Sequence, residues 1–292
     1  MKIATLLVDG IPCAASVDPE AGTARLFTRH DTPISVADLI ALYPDPATLP
    51  PAGGRTITMT DVALMAPIPR PARNVMCIGK NYLDHAREFA KSGSDTSGKP
   101  ADVAPKAPIV FTKAPECVIP GRAAIRYPTG LSEKVDYEAE LAVILGTGGR
   151  GISEAEAMSH VWGYTILNDV TARDLQARHT QWFLGKSLDT FCPMGPWILT
   201  ADEAPAEGFR IRCWVDGELR QDGHSRDLIF PIPTLIRTLS AGLTLQPGDI
   251  IATGTPAGVG LGFDPPRLLK PGSVVRIEID GIGFLENPVV AG

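Results

Sequence analysis

Three prolines alternate in Ala66-Pro67-Ile68-Pro69-Arg70-Pro71. Each fixes its own φ and keeps the residue before it out of the helical region. Neither a helix nor a central strand can run through such a stretch, so it reads as an extended connector. It divides the 292-residue chain into an expected small N-terminal domain, 1–70, and a catalytic-sized domain, 71–292. Gly 29 and Pro 27 make turns frequent and long helices few along the whole chain, which favours a β-rich fold.

The N-terminus alternates Ile3, Thr5 and Leu7 up to Asp9-Gly10 and resumes at Ile11, the pattern of a hairpin. Its apolar stretch, Ile3 to Val8, is shorter than a signal-peptide core and ends at Asp9, so it reads as mature cytoplasmic sequence. A helix is expected from Val36 to Leu42, stopped by Pro44. Beyond the connector, Asn74 to Ile78 reads as a buried strand. Asn81 is placed to cap a helix from Tyr82 to about Ala90, with Asp84 at the third position. The Ser/Gly-rich run Ser92 to Lys99 then reads as a mobile loop. Val135–Leu145, Gly163–Asn168, Arg210–Val215, Asp249–Thr253 and Val274–Ile279 read as strands, with short helices at Glu154–Ser159 and Ala172–Arg178, the latter capped by Thr171. The fold class is α+β, mainly β.

Charge narrows the function. Lys+Arg 27 against Asp+Glu 33 leaves a net charge of -6, without the basic excess of a nucleic-acid binder. No apolar run reaches the ~18–20 residues of a membrane helix. The five cysteines are scattered and form no CxxC pair, so neither a zinc ribbon nor a disulfide framework is indicated. Reduced thiols in a cytoplasm are the simplest account.

Three constellations carry possible chemistry. In Asp136-Tyr137-Glu138-Ala139-Glu140, strand geometry puts Glu138 and Glu140 on one face, where they repel unless a cation or proton lies between them. A solvated acidic face fits the same pattern. Asp169, directly after an apolar strand, is positioned to add a third carboxylate, and three oxygen ligands suit a hard cation such as Mg2+ or Mn2+ better than zinc. His85 and Glu88 lie three apart on one helix face, the spacing of a base and its orienting carboxylate or of an ordinary surface pair. With the loop that follows, this helix reads as a lid. Thr253-Gly-Thr-Pro-Ala-Gly258-Val-Gly260 follows an apolar strand and matches neither a phosphate loop nor a dinucleotide fingerprint. Its amides and the Thr255 hydroxyl are suited to a small carboxylate, although a plain turn between strands is equally compatible. Lys186 is a lone cation in an apolar setting, either snorkelling or poised beside an anionic site.

Taken in order, Tyr82-x-x-His85-x-x-Glu88, Asp136-Tyr-Glu138-x-Glu140-Leu, Asn168-Asp169-Val-Thr-Ala-Arg-Asp-x-Gln176, Lys186-Ser-x-Asp and Thr253-Gly-Thr-Pro-x-Gly-Val-Gly260 resemble the fumarylacetoacetate hydrolase family over about Asn74 to Pro288. The resemblance implies a mixed β-sandwich roll with a small β-rich N-terminal domain, and a homodimer. It implies a divalent ion, Mg2+ with Mn2+ or Ca2+ as alternatives, on Glu138, Glu140 and Asp169. It further implies a water-activating dyad of His85 and Glu88, Lys186 at the developing enolate, and Gln176 and Thr255 on the substrate carboxylate. The activity expected first is hydrolysis of a carbon–carbon bond in a small 2,4-dioxo acid: an acylpyruvate, a fumarylacetoacetate-like acid or a diketo sugar acid. The same enolate chemistry serves a decarboxylase or isomerase of oxaloacetate-like or 2-hydroxymuconate-like 2-oxo acids, or a ureidoglycolate lyase. A non-catalytic metal-binding scaffold is the alternative from a different class, although it would have no use for His85 or Lys186.

Overall fold

The computed structural model describes residues 1–91 and 104–292. The run Ser92 to Lys99 expected as a mobile loop lies outside these residues. The strand Ala139–Leu145 is buried at every position, as a strand covered on both faces must be. Leu141, Val143 and Leu145 enter one core and Ala142 and Ile144 a second. This strand sits inside a twelve-stranded mixed sheet, between Val161–Asn168 and Ile250–Ala252. Most pairs are antiparallel, but Ile250–Ala252 runs parallel to Val75–Gly79. A five-stranded sheet containing Arg210–Val215, Val274–Ile279 and Gly283–Ala291 supplies the opposing side of the first core through Ile211, Val275, Ile277 and Leu285. The result is the mainly β, mixed-sheet architecture expected from the sequence.

The N-terminal segment extends the same main sheet, because Lys2 and Ile3 pair with Leu199 and Ile198 of strand Cys192–Thr200. Its hairpin turns at Asp9 and Gly10, with φ of 51° and 79°, the left-handed pair a two-residue turn demands. The helix Val36–Leu42 is closed at its start by a Ser35–Asp38 capping box and buries Val36, Leu39 and Ile40 in the second core. Trp162, fully buried in that core, donates its Nε1–H to the carbonyl of Tyr43 at 2.8 Å, fastening this helix to the sheet. All five cysteines are buried with free thiols, and among the described residues no helix is long and apolar enough to cross a membrane.

Local signals misplace some boundaries. The expected continuous strand Val135–Leu145 is two pieces, Val135–Asp136 and Ala139–Leu145. Between them the ladder donors are taken by side chains: the Tyr137 N–H goes to Asp136 and the Glu138 N–H to Asn168. Asn81 does not cap the helix, which spans Leu83–Lys91. Its amide instead bonds the backbone of Phe230 and the Thr253 carbonyl, partners about 150 residues or more away in sequence. Thr171 likewise donates to the Asp169 carbonyl and leaves helix Arg173–Arg178 without a side-chain cap.

Candidate metal centre and active site

Glu138 and Glu140 leave the end of the central strand on the side of the second core, and Asp169 meets them from the end of the neighbouring strand. The Asp169 N–H donates to the Glu138 carbonyl at 2.9 Å, which holds the two chain ends together. One oxygen from each of the three carboxylates lies within 4.8 Å of the others, and all three residues are buried. A solvated acidic face is thereby excluded.

Burying this much negative charge requires compensation. Lys186 Nζ bridges Glu138 and Asp169 at 2.9 and 2.7 Å. Lys113 Nζ holds the other Asp169 oxygen at 2.6 Å and also donates to the carbonyls of Val170 and Lys186. Arg173 donates to Asp136 at 2.8 Å and to Glu138 at 2.6 Å. Four buried carboxylates thus face three buried cations. Burial pushes the Glu138 carboxyl up, but Lys186 and Arg173 outweigh it and hold the group well below the usual carboxylate range. Glu140 is pushed the other way, well above that range, by burial and then by Asp169 and Glu138. Its hydrogen bond from the Gly254 N–H, 2.9 Å, does not offset this. Among the described residues Glu140 is the carboxyl of the four without an ion-pair partner, and a hard divalent cation among three carboxylate oxygens would supply one. The residues present therefore fit such an ion.

Around this cluster one cavity is lined by His85, Glu138, Glu140, Gln176, Lys186 and Thr255, so that sequence spacing and three-dimensional placement meet there. His85 is buried, not a surface residue, and its Nδ1 has no hydrogen-bond partner. Glu88 lies 3.9 Å from that nitrogen, beyond hydrogen-bond reach, and accepts the Gly258 N–H instead. Gln176, which lines the cavity, accepts from Arg173 through Oε1 at 3.2 Å. Gln176 and Lys186 are neighbours because two short helices approach closely: a Cβ on Gly185 would stand 2.6 Å from the Gln176 nitrogen.

Three amides of the Thr253–Gly260 loop are already taken by carboxylates of this chain. Gly254 donates to Glu140, Gly258 to Glu88, and Gly260 to Asp136 at 2.7 Å. Among the described residues of that loop, Thr255 lines the cavity. Asp136, Arg173, Lys113 and Gln221 were not singled out in sequence as working residues. Asp136 and Arg173 do stand inside the motifs quoted above, and that was the available signal. Lys113 and Gln221 had none.

Fold and site together define a buried carboxylate cluster able to hold a metal ion, beside a cavity lined by His85 and Lys186. The family model described as "Fumarylacetoacetate (FAA) hydrolase C-terminal" matches residues 74–290, and the chain belongs to this family. Oxaloacetate tautomerase YisK of Bacillus subtilis is 49% identical over 239 residues, 81% of this chain and 76% of its own length. The mitochondrial oxaloacetate tautomerase fahd2 of Xenopus laevis is 43% identical over 237 residues, 80% of this chain and 70% of its own. Among solved structures, a fumarylacetoacetate hydrolase from Exiguobacterium antarcticum superposes with a TM-score of 0.86 at 40% identity, covering 100% of both chains. A 5-carboxymethyl-2-hydroxymuconate delta-isomerase from Mycobacterium smegmatis gives a TM-score of 0.80 at 32% identity, also covering 100% of both.

Proposed function

We propose that this protein is a divalent-metal-dependent tautomerase of oxaloacetate-like 2-oxo dicarboxylic acids. The observation that carries the reading is the buried Glu138–Glu140–Asp169 cluster opening on one cavity with His85 and Lys186. The two relatives named oxaloacetate tautomerase turn the choice away from carbon–carbon hydrolysis, the activity expected first from sequence, and toward the isomerase alternative.

Keto–enol exchange moves one proton between C3 and the oxygen on C2. It breaks no carbon–carbon bond and needs no attacking water. A hard cation on Glu138, Glu140 and Asp169, Mg2+ or Mn2+ by the chemistry of the donors, would polarise the 2-oxo group. Gln176 and Thr255 would hold the C1 carboxylate by donating to it. His85 is the group with a buried nitrogen free to take the C3 proton and return it. Lys186 would hold positive charge at the oxygen on C2 and give that oxygen its proton, regaining one from solvent as His85 releases the C3 proton, so that the net change is one proton moved. The reading extends to a cytoplasmic homodimer, the former supported by the free buried thiols.

A second reading, hydrolysis of a 2,4-dioxo acid, is favoured by the same unpartnered His85 nitrogen near Glu88, where a water would be activated. The deciding experiment follows the ultraviolet absorbance of enol-oxaloacetate with Mg2+ and purified protein, in parallel with acylpyruvate cleavage. Fast loss of the enol signal without pyruvate release supports the tautomerase. Turnover of the acylpyruvate with no acceleration of enol loss overturns it in favour of the hydrolase.

A further inference from the structure

Gln221, in strand Glu218–His224, is fully buried and belongs to none of the motifs. Its side-chain orientation is fixed by backbone partners. Oε1 accepts the Ala139 N–H at 3.0 Å, between the two metal-facing glutamates, and Nε2 donates to the Pro256 carbonyl at 2.8 Å. A backbone N–H cannot accept and a carbonyl cannot donate, so the amide cannot be reversed. The remaining Nε2 hydrogen goes to Thr255 Oγ1 at 2.8 Å. The Thr255 oxygen must accept there, and its own proton is left to point elsewhere. Thr255 is buried and lines the cavity beside Gln176 and Lys186.

We infer that Gln221 is a positioning residue that occupies one lone pair of the Thr255 hydroxyl and so biases it to donate into the cavity, which favours a carboxylate oxygen at this wall. The inference rests on the proposed reading of the cavity as a 2-oxo acid site. A free threonine hydroxyl could present a proton or either of two lone pairs to a ligand; with one lone pair taken by Gln221, the balance here shifts toward the proton. Because the same amide also holds Ala139, the hydroxyl is locked in register with Glu138 and Glu140. A ligand spanning the metal and Thr255 meets a preset distance between them.

The test is calorimetric titration of the Mg2+-loaded protein with oxalate, a stable dicarboxylate, in wild type, Thr255→Val, Gln221→Met and the double variant. Thr255→Val removes a donor to a charged group, so oxalate should bind about 10- to 100-fold more weakly, whereas Gln221→Met frees the hydroxyl to rotate and should weaken oxalate by a smaller factor. The double variant should be no weaker than Thr255→Val alone, because Gln221 acts through that hydroxyl. Mg2+ affinity, titrated without oxalate, should stay within about twofold of wild type in Thr255→Val. If Gln221→Met weakens oxalate as much in the Thr255→Val background as in wild type, the residue is general scaffolding and the inference is overturned. Should Gln221→Met fail to give a cooperative melting curve, Gln221→Glu takes its place. It keeps the acceptor for Ala139 but offers Thr255 an oxygen on which to turn its proton, and the same coupling is expected. A wild type that binds no oxalate with Mg2+ present refutes the 2-oxo acid reading itself. Wild-type binding with additive losses refutes only the role of Gln221.

Discussion

Glu88 accepts the backbone N–H of Gly258 with both carboxylate oxygens, at 3.0 Å each, while standing 3.9 Å from Nδ1 of His85. One carboxylate therefore fastens the helix Leu83–Lys91 to the Thr253–Gly260 loop and faces the imidazole at the same time. The two roles separate chemically, since a glutamine keeps an acceptor for the amide and loses only the charge.

Removing the imidazole should cost the reaction more than removing that charge. Loss of a general base typically costs about 10²–10⁴-fold in rate. His85→Ala is expected to fall in that range for enol-oxaloacetate, with Mg2+ affinity retained because His85 is not a ligand. Glu88→Gln should fall less, and Glu88→Ala more than Glu88→Gln, because only alanine also releases Gly258. Steady-state rates with calorimetric Mg2+ titration of all three variants check the order. An unaltered rate in His85→Ala would remove it as the proton carrier.

Glu140 lacks an ion-pair partner among the described residues, and this gives a stability signature separate from turnover. An ion bound only by the folded protein stabilises it by about 2.7 kcal/mol at a hundredfold excess over Kd. Wild type should show a Mg2+-dependent rise in melting temperature. Glu140→Gln should lose that rise, yet melt at or above wild type without metal, since a neutral isostere carries no cost of keeping an acid buried beside Asp169 and Glu138. Asp169→Ala should also lose the rise but melt lower without metal, because it strands Lys113 and Lys186. Thermal scans with chelator and with Mg2+ decide both.

What was legible in the sequence was what local periodicity and turn chemistry control. The Asp9-Gly10 turn, the helix Val36–Leu42 and the shared face of Glu138 and Glu140 all follow from neighbours within a few residues. The assignments that failed lost to distant partners. Asn81 had a capping position available but gives its amide to Phe230 and Thr253, and Thr171 turns back to Asp169. The residues that neutralise or brace the carboxylates were invisible for the same reason. Lys113 reaches Asp169 across 56 positions and Gln221 reaches Ala139 across 82, and no window of the chain displays either pairing. The amides of the Thr253–Gly260 loop looked available to a ligand because the carboxylates that occupy them come from three other segments.

Gly258 shows how tightly that loop is held. Its φ is +101°, and a Cβ there would lie 1.9 Å from the Arg220 carbonyl oxygen, a backbone atom that cannot step aside. Gly258→Ala should therefore displace the loop, lose the Glu88 contact, and cost stability on the order of the 1–3 kcal/mol of a strained backbone position. Urea denaturation measures the loss. A midpoint equal to wild type would show that the loop tolerates a side chain.

Arg173 gives the most severe expectation. Its guanidinium is fully enclosed and divides its donors between Asp136 and Glu138, with Gln176 taking a third contact. Burial disfavours its charge, but the two carboxylates overcome this and bind the proton more firmly than in water. Removing one partner from a buried ion network typically costs about 3–5 kcal/mol, since the remaining charges keep their desolvation and lose their compensation. Arg173→Met should approach that loss in metal-free denaturation. Asp136 is the better placed of the two acids to survive it, because the N–H groups of Tyr137, Gly260 and Leu261 still donate to it. Among the described residues Glu138 keeps Lys186 as its one ion-pair partner, so Mg2+ should recover part of the loss in Arg173→Met by supplying positive charge at that carboxylate. Arg173→Lys should fall between the two, because an ammonium cannot span both acids with the planar fork that a guanidinium offers. Denaturation midpoints with and without Mg2+ test the ranking, and a lysine variant as stable as wild type would show that charge alone, not the fork, holds the network.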